Sequence, residues 1–532
     1  MVQRIKLGYI FGGSLGEGLF MRLSPGISPE QIKAGKFVCV KGETHTFFSL
    51  ITDIELEVSH PEMLLFPPAT DEKFLMESLK ARGFLAKVSL RPLLSLDQNN
   101  NRLPVKTIPP HFAQVFDANP TDVAAIFGDE KAHHKYFNIG SPLDMDTPVC
   151  LDLERFTERS NGIFGKTGTG KTFITRVILA GIAHTQHAVN LVFDMHSEYG
   201  LQARQEGGGF VKGLKTLFPG QVAIFSLDPE STRRRGCEPD VRVSIGLNEI
   251  RVEDVMPLCD ELALHSTAME SAYLLAGAFG DKWLSTLLTQ EKPVKDFAAE
   301  IGGHAESVAA LSRKLKRILR FPFITEKNVG KSVIDQMLEY LDRGIHVIFE
   351  FGNNTSLLCY LLVSGMIARR IHDRYVDKTE RFLATQDPSH EPKKLMITIE
   401  EAHKFLNPQA AKQTIFGTIA REMRKYYVSL LVVDQRPSKI DDEVISQLGT
   451  KLVAQLGDER DIQAVLTGVS NGSGLRAVLS TLDSKKQALV MGHAISMPVV
   501  IRTRNYDEKF YASLRDESLL VRGSLKPEEL VF

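Results

Sequence analysis

The chain has 532 residues, of which 64 are Lys or Arg and 65 are Asp or Glu, giving a formal net charge of −1. This length exceeds what one hydrophobic core usually supports, so we expect about two or three domains. The balanced charge excludes a protein that binds nucleic acid through an overall basic surface, and any basic contact must be local.

The five cysteines are scattered along the chain and form no C-x-x-C pair, which is typical of a protein in a reducing compartment. No apolar run approaches the about 18 residues that span a membrane, and the first residues carry charge without a sustained hydrophobic segment or a cleavage site. We therefore expect a cytoplasmic protein with no membrane contact.

Short β-type runs broken by glycine and proline fill residues 1–110. Short strands with turn signals between them predict a barrel or sandwich, and we expect a small β-barrel here. The clearest runs are KFVCVKG (36–42), THTFFSLITDIELEV (44–58) and LAKVSLRPLL (85–94). A linker through PVKTIPPHF follows, and residues 118–128 have the pattern of a short helix.

From residue 147 onward, apolar strands alternate with longer helical patterns. Near-continuous Val, Ile and Leu in the strands predicts a mainly parallel sheet covered on both faces by helices, which makes this part an α/β core. The expected strands are AVNLVFDM (188–195), QVAIFSLD (221–228), HVIFEFG (346–352), KLMITIEEAH (394–403), VSLLVVDQ (428–435) and TKLVAQL (450–456).

Residues 251–332 contain helical patterns without a strand candidate, which predicts a helical insertion in the core. The last residues are charged and contain proline, and are more typical of a docking tail than of a core element. The predicted division is a barrel (1–110), the first part of the core with its linker (111–250), the insertion (251–332), the second part of the core (333–505) and the tail (506–532).

A glycine-rich loop joins a short apolar run to a buried helix pattern at residues 161–180. Its spacing, G-x-x-x-x-G-K-T, is typical of a P-loop, in which glycines let backbone N–H groups face one phosphate and the next helix adds its positive dipole end. A flexible turn is the alternative. We predict Lys171 on the β and γ phosphates, Thr172 on Mg²⁺, and nucleotide contacts from Gly165, Thr167, Gly168, Thr169, Gly170, Lys171, Thr172 and Phe173.

Two adjacent glutamates follow an apolar strand in LMITIEEAHKF. Both carboxylates are expected at the carboxyl end of the strand, where sites form in α/β proteins. One acid can bind the Mg²⁺ shell while its neighbour orients and polarises the attacking water. We predict Glu401 as the catalytic carboxylate and Glu400 as the metal-side acid. Two solvated acids at a helix start are the alternative reading.

Other polar side chains flank the neighbouring strands. Gln435 ends the strand after the glutamates and is predicted to sense the γ-phosphate or position the water. Arg421, Arg424 and Lys425 precede that strand, and an arginine from such a position can stabilise the transition state at an adjoining subunit, or simply form a surface ion pair. Asp194 follows another strand and is predicted to tune Mg²⁺ or water, with a plain turn acid as the alternative.

Together, the segments GKTGTGKT, FDMHSEYG, ITIEEAH and REMRKYYVSLLVVDQRPS, preceded by a β-rich region, resemble the HerA family of hexameric DNA-translocating ATPases, relatives of the FtsK motors. The resemblance implies a RecA-like core, ATP and Mg²⁺ as cofactors, a homohexamer with ATP at subunit interfaces, and double-stranded DNA in the pore. It matches Lys171 and Thr172 to the P-loop, Glu401 to the catalytic acid and Gln435 to the sensor. Arg424 matches the arginine that acts in trans, and Arg159 a further functional arginine.

The family further implies a partner. Members act with a NurA-like nuclease in DNA-end processing, whereas bacterial relatives pair with a sirtuin-like or nuclease effector in phage defence. The expected function is ATP-driven DNA translocation, and the alternative is a ring that assembles and activates an effector enzyme. The absence of an N-K-x-D motif disfavours a GTPase, and the paired glutamates disfavour a small-molecule kinase.

Loop segments are the candidates for contact with DNA. Arg233, Arg234 and Arg235 lie in one such segment, and the glycine-rich run QEGGGFVKG (205–213) in another. Phosphate contacts at these places would bind without sequence preference and would weaken with salt. A flexible surface loop has the same pattern.

Overall fold

The computed structural model describes residues 4–58, 84–99, 101–204, 209–326, 331–469, 472–483 and 486–515. Residues 205–208 of the glycine-rich segment predicted to contact DNA (205–213) and the tail from residue 516 lie outside the described residues.

Six antiparallel strands close a barrel near the N-terminus, in the order β2-β1-β7-β3-β4-β5 with β5 pairing back to β2, and β6 pairs beside β5. The predicted barrel is confirmed. Its strands are β1 (Lys6–Ser14), β2 (Gly18–Leu23), β3 (Phe37–Lys41), β4 (Thr46–Val58), β5 (Phe84–Leu96), β6 (Arg102–Leu103) and β7 (Gln114–Asp117).

Strand β3 is buried on both faces, which explains its apolar sequence. Val38 and Val40 belong to the hydrophobic cluster inside the barrel. Phe37 and Cys39, which point to the opposite face, belong to a cluster shared with the helix that follows the glycine-rich loop. Because successive side chains of a strand alternate between faces, one strand serves both cores.

The barrel extends past residue 110, where the predicted boundary stood. Strand β7 pairs with β1 and with β3 and is needed to close the barrel. This strand has only four residues and follows a proline-rich segment, so its sequence resembles a linker. Helix α1 (Pro120–Phe127) then begins with a capping box between Asn119 and Asp122, as the predicted short helix requires.

The second sheet has twelve strands in the order β15-β14-β18-β11-β19-β20-β10-β21-β22-β23-β8-β9. The strands from β15 to β21 pair in parallel, and the rest are antiparallel. Their bounds are β8 (Tyr136–Pro142), β9 (Val149–Asp152), β10 (Asn161–Phe164), β11 (Val189–Asp194), β14 (Val222–Ser226), β15 (Val241–Arg242), β18 (His346–Glu350), β19 (Leu395–Glu400), β20 (Val428–Asp434), β21 (Thr450–Val453), β22 (Gln487–Gly492) and β23 (Val499–Thr503).

All six strands expected from apolar runs lie in the parallel part of this sheet. In β11, Leu191 and Phe193 join one hydrophobic cluster, while Val192 joins the cluster on the other face. Helices cover both faces, so the strands lack an alternating polar side. The fold class is therefore confirmed: an α/β, RecA-like P-loop core with a mainly parallel sheet, an N-terminal barrel and a helical insertion.

The helices in the described part of the chain vary from one turn to 29 residues. After α1 they are α2 (Leu153–Thr157), α3 (Lys171–Thr185), α4 (Leu214–Leu217), α5 (Pro229–Arg234), α6 (Val252–Val255), α7 (Cys259–Leu262), α8 (Ser266–Phe279), α9 (Trp283–Thr289), α10 (Val294–Glu300), α11 (Ala305–Leu315), α12 (Val333–Arg343), α13 (Leu357–Thr385), α14 (His403–Leu406), α15 (Ala410–Gln413), α16 (Ile415–Glu422), α17 (Asp442–Gln447), α18 (Glu459–Leu466), α19 (Gly472–Ser480) and α20 (Glu508–Leu514).

Helices α6 to α11 occupy the region of the predicted insertion, and Trp283 anchors them by donating to the carbonyl oxygen of Ile250 at 2.9 Å. One short strand, β17 (Ile324–Thr325), lies in this region and pairs with β16 (Ile245–Gly246), although no strand was expected there. Two small two-stranded sheets are present, the second formed by β12 (Ala203–Arg204) and β13 (Phe210–Val211).

The segment after residue 505 contributes to the core, which corrects the prediction of a surface tail for its first ten residues. Tyr506, Phe510, Tyr511 and Leu514 are all buried in the cluster that covers helix α3. Within α20, the buried Phe510, Tyr511 and Leu514 have helical spacing, a signal that the charges around them obscured. Within the described ranges, no helix is both long enough and apolar enough to cross a bilayer.

Candidate nucleotide-binding site

The predicted site residues from different segments meet at one edge of the large sheet. Strands β18, β11, β19 and β20 are neighbours, and they end at Glu350, Asp194, Glu400 and Asp434. Strand β10 lies next to β20 and leads into the glycine-rich loop after Phe164. Because these strands are parallel, their carboxyl ends place the loop and a row of four acids side by side.

The glycine-rich loop has the backbone that a phosphate site requires. A Cβ atom at Gly165 would lie 2.8 Å from the Cβ atom of Ala454, so only glycine fits. Gly168 and Gly170 have φ angles of +80° and +97°, which other residues rarely adopt. The N–H groups of Thr167, Gly168 and Gly170 donate to no other described residue, which leaves them available to an anion.

Lys171 and Thr172 begin helix α3 with free polar groups. The Lys171 amine forms no hydrogen bond or ion pair with the described residues, and the Thr172 hydroxyl has no hydrogen-bond partner among them either. Burial lowers the pKa of Lys171, whereas the nearby carboxylates of Glu401, Asp434 and Glu400 raise it. An unpaired cation at the start of a helix is suited to bind a phosphate. Phe173 is half-buried, with the Arg176 guanidinium 5.5 Å from its ring centre.

Glu400 is nearly fully buried, and only one of its carboxyl oxygens has a partner. The Tyr199 hydroxyl donates to Oε1 at 2.6 Å, and Oε2 has none. Burial, followed by repulsion from Asp194, raises the pKa of Glu400 from 4.5 to about 8. A buried oxygen without a partner is costly for the folded chain, and a Mg²⁺ ion would satisfy it. This fits the predicted role of Glu400 as the metal-side acid.

We predict that Glu400→Gln stabilises the protein in the absence of Mg²⁺ and nucleotide. The folded-state pKa is above the unfolded value, so the folded chain loses stability as pH rises from 4.5 to about 8. Gln has no charge to bury, so the variant should gain on the order of 2 kcal/mol at pH 8 and much less at pH 5. Urea unfolding at both pH values measures the difference.

The matched control for this prediction is Glu422→Gln, which removes an exposed carboxylate from helix α16. Its stability should change by less than about 0.5 kcal/mol at either pH. A Glu400→Gln protein that is less stable than the parent at pH 8 would contradict the electrostatic account of the buried acid.

Glu401 follows β19 and is linked to the glycine-rich loop through Gln435. Gln435 donates to Oε1 of Glu401 at 3.3 Å and accepts a hydrogen bond from the Thr167 hydroxyl at 2.8 Å. Glu401 has a φ angle of +49°, in the left-handed region that non-glycine residues rarely occupy. Such backbone strain recurs at functional sites. The structure therefore brings three predicted residues, Glu401, Gln435 and Thr167, into one hydrogen-bonded row.

Three further residues of this site, His403, Asp434 and Tyr199, were not singled out from the sequence. The His403 ring lies 2.9 Å from Oδ2 of Asp434 through Nδ1, and 3.8 Å from Oε2 of Glu401 through Nε2. Tyr199, the partner of Glu400, is the third. All lie within the segments that carry the family resemblance, but only the folded sheet shows which acid each one contacts.

Asp194 has a different environment from the one predicted. It is fully buried, and its carboxylate accepts hydrogen bonds from the backbone N–H groups of Glu198, Tyr199 and Gly200 at 2.8, 2.9 and 3.3 Å. Burial, with repulsion from Glu350, raises its pKa to about 6. These contacts favour the turn-acid alternative: Asp194 holds the loop that carries Tyr199, and its role in catalysis remains a prediction.

Arg159 and Arg424 lie at the opposite edge of the sheet from the glycine-rich loop. Arg159 precedes the start of β10, and Arg424 lies in the 3₁₀ turn Met423–Tyr426 that precedes β20. About 13 Å of strand separates Arg159 from the loop, and about 23 Å separates Arg424 from the end of β20. Arg424 is exposed without an ion-pair partner among the described residues, and the Arg159 Nε atom is buried without a hydrogen bond.

The arginines proposed for DNA contact are largely engaged within the chain. Arg233 pairs with Glu238 at 2.7 Å and also with Glu230. The Arg235 guanidinium binds both oxygens of the buried Glu350, at 3.1 and 2.5 Å. Arg234 is exposed. Arg233 and Arg235 therefore contribute to the internal structure of this segment, and the structure does not favour them as a free basic loop.

The observed groups fit ATP with Mg²⁺. The free loop N–H groups and the unpaired Lys171 amine suit a polyphosphate, while the Thr172 hydroxyl and the unpartnered Oε2 of Glu400 suit a hard cation that prefers oxygen ligands. Glu401 lies beside them with one oxygen directed to Gln435. The site can thus hold a nucleoside triphosphate and present a carboxylate to water.

Comparisons with known proteins found a matching family model and several relatives. Residues 137–371 match the sequence model of the family described as Helicase HerA, central domain. The chain is 25% identical over 431 residues to the DNA double-strand break repair helicase HerA of Pyrococcus furiosus, covering 77% of this chain and 75% of that protein. It is 21% identical over 524 residues to the protein of that name from Saccharolobus solfataricus, covering 95% and 94%.

Solved structures of low sequence identity are also similar. VirB4 of Thermoanaerobacter pseudethanolicus has a TM-score of 0.46 and 14% identity, covering 70% of this chain and 97% of that chain. The conjugative coupling protein TrwBdeltaN70 has a TM-score of 0.45 and 12% identity, covering 67% and 87%. With the P-loop site described above, the match of residues 137–371 and the near full-length relatives lead to one conclusion: the chain is similar to HerA helicases over most of its length and is a P-loop ATPase.

Proposed function

We propose that this protein is an ATP-driven translocase of double-stranded DNA that acts as a homohexameric ring in the cytoplasm. Mg²⁺ held by Thr172 and Glu400 would neutralise phosphate charge. Lys171 would bind the β and γ phosphates, and Glu401 would polarise the attacking water. Gln435, which bridges Glu401 and Thr167, would respond to a γ-phosphate bound in the loop.

The position of Arg424 is the observation that carries the ring proposal. Its side chain is exposed and unpaired among the described residues, at the sheet edge away from its own glycine-rich loop. An arginine so far from the phosphates in its own subunit can stabilise transition-state charge only in a neighbour. Head-to-tail contacts of this kind generate closed rings when the rotation closes. Arg159, at the same edge, is proposed to act in the same way.

Mixed rings test this arrangement. Lys171→Ala and Arg424→Ala should each lose ATP turnover, because each removes one half of every site. When the two variants are mixed, an Arg424→Ala subunit keeps its loop lysine and receives an arginine from a Lys171→Ala neighbour. Random assembly should then recover roughly a quarter of wild-type turnover. Steady-state phosphate release before and after mixing measures the recovery.

The control mixes Lys171→Ala with Glu401→Gln. Both changes disable the same side of the ATP site, the side that carries the glycine-rich loop. This pair should recover no turnover, since every loop lies in a disabled subunit. If Arg424→Ala recovers no turnover with Lys171→Ala either, the arginine acts within its own subunit or not at all, and the proposal is wrong.

The DNA part of the proposal rests on the relatives, which are named DNA double-strand break repair helicases. We further propose a partner, either a NurA-like nuclease or a sirtuin-like or nuclease effector. The test is ATP turnover by the purified chain with linear duplex DNA and no partner, together with the particle mass with and without nucleotide. Stimulation by duplex DNA supports translocation, whereas stimulation only by a co-purified enzyme supports the alternative of an effector-activating ring.

A further inference from the structure

The Glu401 carboxylate lies between the side chains of Gln435 and His403. Both are positioned at the end of β20. The Oε1 atom of Glu401 accepts a hydrogen bond from Gln435 at 3.3 Å. Its Oε2 atom faces Nε2 of His403 at 3.8 Å. Gln435 directly follows β20, whereas His403 begins helix α14 and contacts Asp434 at the end of β20. Each oxygen of the water-activating acid therefore has its own neighbour.

Asp434 fixes the His403 ring from one side. Its carboxylate lies 2.9 and 3.2 Å from Nδ1 and accepts a hydrogen bond from the His403 backbone N–H at 2.8 Å. The backbone N–H of Arg436 donates to the same carboxylate at 2.7 Å. Asp434 is 1% exposed, so solvent offers no competing contact. The two backbone N–H groups hold the Asp434 carboxylate in place, and the carboxylate in turn contacts the imidazole through Nδ1.

These contacts also decide which side of the ring meets which acid. Nδ1 lies against Asp434, so Nε2 is the ring nitrogen left to face Oε2 of Glu401. Their separation of 3.8 Å is longer than a hydrogen bond, and a small shift of the Glu401 side chain would bring the two atoms within hydrogen-bond distance.

Hydrolysis requires the Glu401 carboxylate in a fixed orientation. When water attacks the γ-phosphorus, its O–H bond breaks and the proton passes to Glu401, while the new P–O bond forms and the bond to the bridging oxygen breaks, with its electron pair leaving on ADP. We infer that His403 is a positioning residue for Glu401: with Nδ1 bound to Asp434, its Nε2 atom faces Oε2 of Glu401 and orients the carboxyl group toward the attacking water.

The backbone supports a fixed position for this acid. Glu401 has a left-handed φ angle of +49°, which persists only where surrounding contacts impose it. The His403 backbone N–H to Asp434 bond lies two residues after Glu401 and ties the turn to the neighbouring strand. Asp434 thus holds both the turn that carries Glu401 and the ring that faces it.

The alternative is that His403 only anchors this turn through Asp434. His403→Asn distinguishes the two roles, because its shorter amide can still donate to Asp434 near the Nδ1 position but does not reach Glu401. His403→Gln has a longer amide that reaches toward the Nε2 position. His372→Asn is the matched control, since His372 is also partly exposed, at 28%, and contacts an aspartate at 3.3 Å, on helix α13.

The inference rests on Glu401 being the water-activating acid. We expect His403→Asn to lower kcat for ATP by about 10- to 100-fold, and to leave KM, the affinity for a non-hydrolysable ATP analogue and the melting temperature without nucleotide unchanged. His403→Gln should recover part of kcat, and His372→Asn should match the wild type. In a Glu401→Gln background, His403→Asn should cause no further loss, because His403 acts through Glu401.

Three results would overturn the inference: a wild-type kcat for His403→Asn, a loss of analogue affinity or melting temperature that matches the loss of kcat, or an additional full loss in the Glu401→Gln background. Full turnover by Glu401→Gln alone is a different result, since it would overturn the assignment of Glu401 itself. The experiment therefore distinguishes an error in the role of His403 from an error in the assignment of Glu401.

Discussion

Replacing Glu401 with Gln should lower the steady-state rate of ATP hydrolysis by roughly 10³-fold while the protein still binds ATP. The amide retains the size of the side chain and can still contact Gln435, which now lies 3.3 Å from Oε1. It has no basic oxygen that can take a proton from water. Phosphate release under saturating ATP measures the rate, and equilibrium binding of a fluorescent ATP analogue measures retention of the nucleotide.

Glu380→Gln is the control for this change, since it removes an exposed carboxylate from helix α13. It should leave both turnover and binding as in the parent. If Glu401→Gln retains more than about a tenth of wild-type turnover, another group activates the water, and the neighbouring Glu400 becomes the first candidate.

Replacing Lys171 with Ala should remove both functions, with nucleotide affinity lowered and hydrolysis reduced by more than roughly 10³-fold. The amine has no ion pair within the described residues and begins the helix that follows the glycine-rich loop, so its charge is available to the phosphates. Without the amine, the carboxylates of Glu401, Asp434 and Glu400 would repel the phosphates, and no lysine would offset this repulsion. Binding of the fluorescent analogue and phosphate release measure the two losses.

Lys439→Ala is the control for the lysine. Lys439 is exposed in a turn after β20 and has no ion-pair partner among the described residues. Its removal should change neither measurement. Tight binding of the analogue by Lys171→Ala would show that the nucleotide is held elsewhere and would contradict the site.

The parts of the site that the sequence predicts are the local ones. The loop spacing around Gly165 and Lys171 fixes a phosphate cradle within a few residues, and an apolar run before Glu400 is enough to place both glutamates at a strand end. The contacts of His403 with Asp434 join segments 31 residues apart, and those of Tyr199 with Glu400 join segments 201 residues apart. Such partners depend on the order of strands in the sheet, which a single sequence does not show.

The fold shows the same contrast between local and distant signals. The buried strands β11 and β19 were predictable because apolar residues occupy every position between two layers of helices. Strand β7 and helix α20 were not predictable, because each is short and is buried by residues far away in the sequence. The division into five segments remains a prediction, apart from the barrel strand beyond residue 110 and the buried start of the tail.

The shared hydrophobic cluster between the barrel and helix α3 has a mechanical consequence. Phe37 and Phe48 of the barrel pack in one continuous cluster with Ile174 and Val177 of the helix that begins at Lys171. Close-packed interiors transmit displacement with little compression. Any displacement of that helix would therefore be passed directly to the barrel strands that share the cluster.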